Sequence, residues 1–387
     1  MRITGIREQP IGISRYRDPR IPSGGLTTSL VAVLTDVVRA GQPVTGYGFA
    51  SVGRYAQSGL IRDRFAPRLL QAAAPDIITS DGANLDPFRA WTVMMTGEKP
   101  GGHGERCVAV GALDMALWDA AAKVAGLPLH QFLAGQLGHQ ATAAPVTVYA
   151  SGGYRYPDHD IAALSQEIRH FTGLGFTHAK IKIGGTALDQ DLRRIEAAAA
   201  PLAGYGQLAV DAMNTYRLSQ ALTAAAALAD FGLWWFEDIC DPLDFATHAA
   251  VAAGYAPPIA AGEALLSVAE AALLDQYAGL RRARDILLFD PVHCYGLPGY
   301  LRIIDTLTAA GWPRRAFWPH GGHLFSLHLV AALGLGGAEI TPLAFHPFHG
   351  PPPALPVEAG RVCLPDVPGI GFELHNDAWQ AFRSLSR

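Results

Sequence analysis

The pattern of apolar and polar positions changes period near residue 145. Beyond it, short apolar runs at residues 146–150, 178–183, 207–212, 233–237, 259–263, 286–290, 315–319 and 338–343 alternate with longer segments. Those segments, such as residues 188–200, 219–231 and 267–277, are rich in alanine and leucine and have helical spacing. Buried strands separated by helices over about 200 residues predict a compact (β/α) barrel. A doubly wound sheet is the alternative, but no Gly-x-Gly-x-x-Gly follows the first strand, where such a fold would carry it.

The first part of the chain has a different texture. Residues 27–38 form an apolar, β-branched run, and Ala40-Gly41-Gln42-Pro43 is a turn signal before residues 44–50, which predicts a hairpin. Helical spacing follows over residues 59–73, 85–95 and 107–124, and Gly126-Leu127-Pro128 stops the last of these. A glycine-rich loop spans residues 97–105. The segment from His346 is rich in proline and glycine, too short for a domain, and expected to return to the N-terminal module. The predicted class is therefore α/β. An α+β capping domain spans residues 1–135, a modified TIM barrel of seven or eight β/α units spans 136–345, and residues 346–387 complete the cap.

Composition narrows the functional classes. Half of the 387 residues are apolar and 17% are charged, which supports a large core and excludes a disordered chain. A formal charge of −4 gives no basis for a nucleic-acid or anionic-membrane surface. Cys107, Cys240, Cys294 and Cys363 lack metal-ligand or disulfide-framework spacing, as expected of reduced thiols in a cytoplasm. The first ten residues lack the apolar core of a signal peptide, and the apolar stretch 221–229 ends at Asp230, short of a membrane span. A soluble cytoplasmic protein with a small-molecule partner is expected.

Candidate chemistry lies at the ends of the apolar runs. Lys180 and Lys182, Asp211, Glu237, Glu263, Asp290 and His320 follow one another, with intervals of 29, 26, 26, 27 and 30 residues counted from Lys182. That near-constant step is one strand–helix unit, so the residues should share the C-terminal mouth of the barrel. A single strand-end acid is usually a capping or solvated group; the set in register is much harder to explain that way. Three carboxylates without cysteine or histidine among them suit a hard cation, with Mg²⁺ the default. Lys180 and Lys182 alternate with isoleucines and so point to one face, where neighbouring ammoniums are expected to lower one pKa toward base catalysis. Asp290 and His320 are candidates for a dyad in which the carboxylate orients the imidazole. The reaction class expected is α-proton abstraction beside a carboxylate.

At these residues the chain resembles the enolase superfamily, in its mandelate racemase branch. Lys180-Ile181-Lys182, the three acids and the Asp290/His320 pair follow that branch's order, and residues 109–135 are similar to its domain-joining helix. Within the branch the resemblance is nearest to dehydratases of hydroxy-diacids such as D-tartrate. It extends over residues 27–38, 46–49, 53–55, 98–105, 149–154, 319–323 and 365–373. It implies Mg²⁺ on Asp211, Glu237 and Glu263, Lys182 as the base for the α-proton, and His320 as the acid for the departing β-hydroxyl. It further implies a small hydroxy-acid substrate contacted by Lys99, His103, Arg54, Tyr55 and Tyr154, and a homo-oligomer. The chain departs from the pattern at residues 15–25, at Asp211-Ala212-Met213-Asn214, and at Ala264, which leaves the substrate open.

Two further enzyme or binding readings compete: a racemase or epimerase using the same Lys/His pair, and a non-catalytic barrel that binds small molecules. His320, His323, His346 and His349 are weaker candidates for zinc, since the His-x-His of zinc barrel hydrolases is missing. Gly334-Leu335-Gly336-Gly337 follows a helix and is expected to be a C-terminal cap rather than a phosphate loop. Arg281, Arg282 and Arg284 are expected to be a solvated cluster.

Overall fold

The structure, a computed structural model, describes residues 1–13, 25–142, 144–348, 350, 352 and 354–385. Residues 15–24 of the divergent N-terminal segment, and His349, lie outside the described residues. Strands β1 (Ile3–Gly12), β2 (Thr27–Arg39) and β3 (Gln42–Phe49) form an antiparallel meander. The predicted hairpin turns at Ala40 and Gly41, both at positive φ (48° and 75°), whose twist matches that of the flanking strands. Helix Glu105–Ala125 lies across β3 and β2 with most of its length buried. Gly46 and Gly48 make this approach possible: a Cβ on either would collide with the carbonyl of Ala116 or Ala112.

The second unit is built on parallel strands β4 (Val146–Ser151), β5 (Ala179–Lys182), β6 (Leu208–Asp211), β7 (Phe236–Glu237), β8 (Ile259–Ala261), β9 (Ile286–Leu287) and β10 (Ala338–Ile340). Their order in the sheet is β10-β4-β5-β6-β7-β8-β9. The strand predicted over residues 315–319 is reduced to one parallel bridge, Leu287 to Phe317. A 3-10 turn at Arg314–Ala316 uses up its first half, and Pro319 has no N–H to offer a ladder. Trp318 N still donates to Leu287 O (2.8 Å) and Gly336 N to Phe317 O (3.0 Å), so this segment closes the gap between β9 and β10. Tyr149, Ala209, Trp235, Ala260, Leu288 and Trp318 form a separate buried cluster. Ala209 and Trp235 stand two residues before Asp211 and Glu237, on the same strand face, so this aromatic cluster is the floor beneath the candidate site.

Two sets of contacts tie the units together. On the helix, Gly111 admits the Val292 carbonyl and Asp114 Oδ2 accepts from Leu297 N (2.7 Å), while Trp91 Nε1, from the preceding helix Pro87–Met95, donates to Tyr295 O (2.6 Å). The tail supplies the second set. β11 (Arg361–Val362) pairs antiparallel with the start of β4, and Ile370 N donates to Asp119 Oδ1 (2.7 Å). Helix Asn376–Arg383 then packs Phe382 5.2 Å from Tyr47 and 5.0 Å from Phe372. The tail thus returns to the cap, as its composition predicts. No helix among the described residues is long and apolar enough to cross a membrane.

Candidate active site

Register puts the site together. Lys182, Asp211 and Glu237 are successive Cα partners across β5, β6 and β7, so their side chains leave the sheet in one row. Glu263 follows β8 after Gly262, whose φ of 127° turns the chain out of the strand. Carboxylate oxygens of Asp211, Glu237 and Glu263 lie within 4.8 Å of one another. Glu263 Oε2 is buried and makes no hydrogen bond, although His320 Nε2 stands 3.4 Å away. Converging hard oxygens, one of them unsatisfied, fit a divalent cation that prefers oxygen ligands.

The lysines line one flank of this cluster. Lys182 Nζ is 2.5 Å from Asp211 Oδ2. Lys180 Nζ is paired with Glu237 and lies 3.8 Å from Asp211 Oδ2 and 3.3 Å from Glu339 Oε1. The expected lowering of one lysine by the other is present at Lys182, but it is outweighed while the acids carry no cation. Burial and, for Lys182, the neighbouring Lys180 do push down, but Asp211, Glu237 and Glu339 outweigh them and hold both ammoniums above the usual range. Burial, more than the opposing Lys180, sets Glu237, whose carboxyl is pushed up to about 8. Four carboxylates packed around two lysines leave negative charge that a cation would neutralise.

His320 occupies the opposite flank. Its Nδ1 bonds Asp290 Oδ2 at 2.9 Å, and its Nε2 faces Glu263 and Glu339. Burial lowers its proton affinity, but Glu263, the Asp290 hydrogen bond and Glu339 together raise the imidazole to about 10. Asp290 is raised by burial but held below the usual carboxylate range by His293 and His320. The arrangement sets a charged imidazole on one side of the acids and the Lys182 side chain on the other.

Of the proposed substrate contacts, Tyr154 is at the site, with its ring 5.4 Å from Lys182 Nζ. Arg54 is close enough to His293 to oppose its protonation. His103 Nδ1 instead meets the Tyr295 hydroxyl at 3.1 Å, at the junction of cap and barrel. Lys99 and Tyr55 are exposed. His346 bonds Asp377 (3.2 Å), away from His320 and His323, so the zinc grouping does not assemble among the described residues. Gly334 is a left-handed helix cap (φ 65°), and Arg281 is tied to Asp285 (2.8 Å) and three carbonyls rather than solvated.

Sequence reasoning missed several residues. Glu339 faces both Lys180 and His320; its only signal was an acid inside an apolar strand. His293, three residues after Asp290, is buried with Nδ1 3.7 Å from Asp290 Oδ2. Ser51, from the cap, reaches Asp290 and carried no signal at all. Trp235 Nε1 donates to Glu237 Oε2 (2.7 Å), fixing that carboxylate from the barrel floor.

Comparison with known proteins places this geometry. Residues 163–378, more than half of the chain, match the family model described as enolase C-terminal domain-like. Residues 28–134 match the N-terminal domain of mandelate racemase/muconate lactonizing enzymes. The chain belongs to this family of the enolase superfamily. Within it, the chain is 29% identical over 353 residues to L-talarate/galactarate dehydratase of Salmonella typhimurium, covering 90% of this chain and 82% of that one. It is 26% identical over 293 residues to arabinonate dehydratase of Saccharolobus solfataricus, covering 74% and 75%. L-talarate dehydratase from a Polaromonas species, solved with Mg and L-glucarate, superposes with a TM-score of 0.71 at 25% identity, over 95% of this chain and 94% of that one. The enolase-superfamily fold, with an antiparallel capping domain and a parallel barrel domain, is thus shared along almost the whole chain, and acid-sugar chemistry is what its relatives carry out.

Proposed function

We propose that the chain is a Mg²⁺-dependent dehydratase of a hydroxy-diacid, with D-tartrate, giving oxaloacetate, as the first substrate to test. The observation that carries this reading is the placement of Lys182 and His320 on opposite flanks of the three-carboxylate cluster. Asp211, Glu237 and Glu263 would hold Mg²⁺, which when bound supplies positive charge beside the substrate carboxylate. With the acids so neutralised, the Lys180 ammonium disfavours a proton on Lys182, leaving it free to act as a base. Lys182 removes the α-proton, and the freed electron pair forms the new carbon–carbon double bond. His320 gives its Nε2 proton to the β-hydroxyl, which leaves as water. The enol then takes up a proton at carbon and becomes the 2-keto acid. Asp290 orients His320, Tyr154 and Arg54 flank the substrate, and Lys99, His103 and Tyr55 are assigned to closing its outer end. A symmetric homo-oligomer completes the proposal, checked by sedimentation.

The test is a panel of hydroxy-diacids and sugar acids, D-tartrate included, with Mg²⁺ and detection of keto-acid product. D-tartrate turnover to oxaloacetate is expected. Turnover of other sugar acids only would replace the substrate and keep the reaction. Deuterium incorporation with inverted configuration, and no keto acid, would replace dehydration by racemisation.

A further inference from the structure

The Pro-His-Gly-Gly-His segment ends on a histidine that the reaction above leaves unused. His323 is buried, and its Nε2 lies 3.2 Å from Ser51 Oγ. Ser51 follows β3 in the cap and is wholly buried, and its Oγ lies 2.7 Å from Asp290 Oδ2. That is the oxygen to which His320 Nδ1 is bonded at 2.9 Å. The placement is built in several ways. Ser51 sits at φ 57°, a left-handed conformation uncommon for serine, and Thr28 Oγ1 donates to its carbonyl (3.2 Å). Gly321, at φ 110°, runs so close that a Cβ there would stand 2.7 Å from both Ser51 Oγ and His323 Nε2.

Donor and acceptor capacity orders these contacts. An ionised carboxylate only accepts, so the Ser51 hydroxyl donates to Asp290 and the His320 Nδ1–H donates to the same oxygen. Ser51 Oγ then has lone pairs left, and His323 donates its Nε2–H to them. Asp290 Oδ1 is held separately by Val292 N (2.8 Å) and His293 N (3.3 Å). With both oxygens anchored, the carboxylate plane is fixed, and with it the ring that the plane orients. His323 gives the Ser51 hydroxyl a second hydrogen bond beside the one to Asp290.

We propose that Ser51 and His323 are positioning residues, a hydrogen-bonded relay by which the capping domain holds Asp290 and so aims His320. The inference rests on the proposed dehydration for its kinetic test and on geometry for the other. The variants are Ser51→Ala and His323→Phe; the second keeps the ring that meets Phe49 edge-on at 5.1 Å and lies over Phe325 at 6.2 Å. In ¹H NMR, the downfield signal of His320 Nδ1–H, assigned by its loss in His320→Asn, is expected to shift or broaden in both folded variants. With a substrate that the wild type turns over, product formation should fall about 10- to 100-fold with KM unchanged. Exchange of the α-proton in D₂O, which depends on Lys182, should persist. An unmoved NMR signal, or exchange and product falling together, overturns the relay. If Ser51→Ala does not fold, His323→Phe decides alone. A wild type that turns over no acid sugar, with an NMR signal that moves as described, would remove the proposed function and leave the relay standing.

Discussion

Lys182 and His320 reach the same cluster from opposite sides, and this makes their variants distinguishable. Lys182→Ala should lose both α-proton exchange and product by about 10²- to 10⁴-fold, whereas His320→Asn should lose product by a similar factor and retain exchange. Isotope exchange followed by NMR beside a keto-acid assay checks both. Glu237 makes a pH prediction. Its folded value, raised from 4.5 to about 8, means that the metal-free protein holds a proton there that the unfolded chain releases earlier. The stability this contributes is complete below about pH 4.5 and is lost as pH rises through about 8. Binding of Mg²⁺ must displace that proton, so the rise in Tm on adding Mg²⁺ to chelator-treated protein should be larger at pH 8 than at pH 5. Equal rises at the two pH values would contradict it.

Strand registers and close approaches govern the elements. Trp235→Phe removes the donor to Glu237 Oε2 while keeping an aromatic in the barrel floor. It should weaken Mg²⁺ binding by about 10- to 100-fold in calorimetry with little change in fold. At the cap, the β3 surface under helix Glu105–Ala125 has no room for side chains at Gly46 or Gly48. Gly46→Ala should therefore force strand and helix apart and cost about 1–3 kcal/mol, read as a lower urea midpoint. The predicted strand at residues 315–319 shows a limit of apolar patterning. Its composition suits a strand, yet the local 3-10 turn and Pro319 leave one bridge.

Across the molecule, the tail and the domain-joining helix hold the cap over the barrel mouth. Phe382 of the tail is fully buried, packed on Tyr47 of the cap and on the tail's own Phe348 and Phe372. Phe382→Ala should cost about 3–5 kcal/mol in chemical denaturation and loosen the cap without touching any group in the site. Ser51 is where that looseness would be felt chemically, since it is the cap's own hydrogen bond to Asp290.

Patterning carried the architecture a long way. Short apolar runs alternating with segments of helical spacing are a local property, so the barrel and the row Lys182, Asp211, Glu237, Glu263, Asp290 and His320 were legible as a repeat of one strand–helix unit, and the cap as a change of texture before it. What it missed depends on contacts between distant segments. Glu339 enters the cluster because β10 closes on β4, and Ser51 because a helix and a returning tail clamp the cap onto the barrel. The lysines' charge also escaped the chain order. Two neighbouring ammoniums suggested lowered proton affinity, and Lys180 does lower Lys182, but without a cation the carboxylates that fold around the pair outweigh it, because Coulomb interactions follow distance in space rather than separation along the chain.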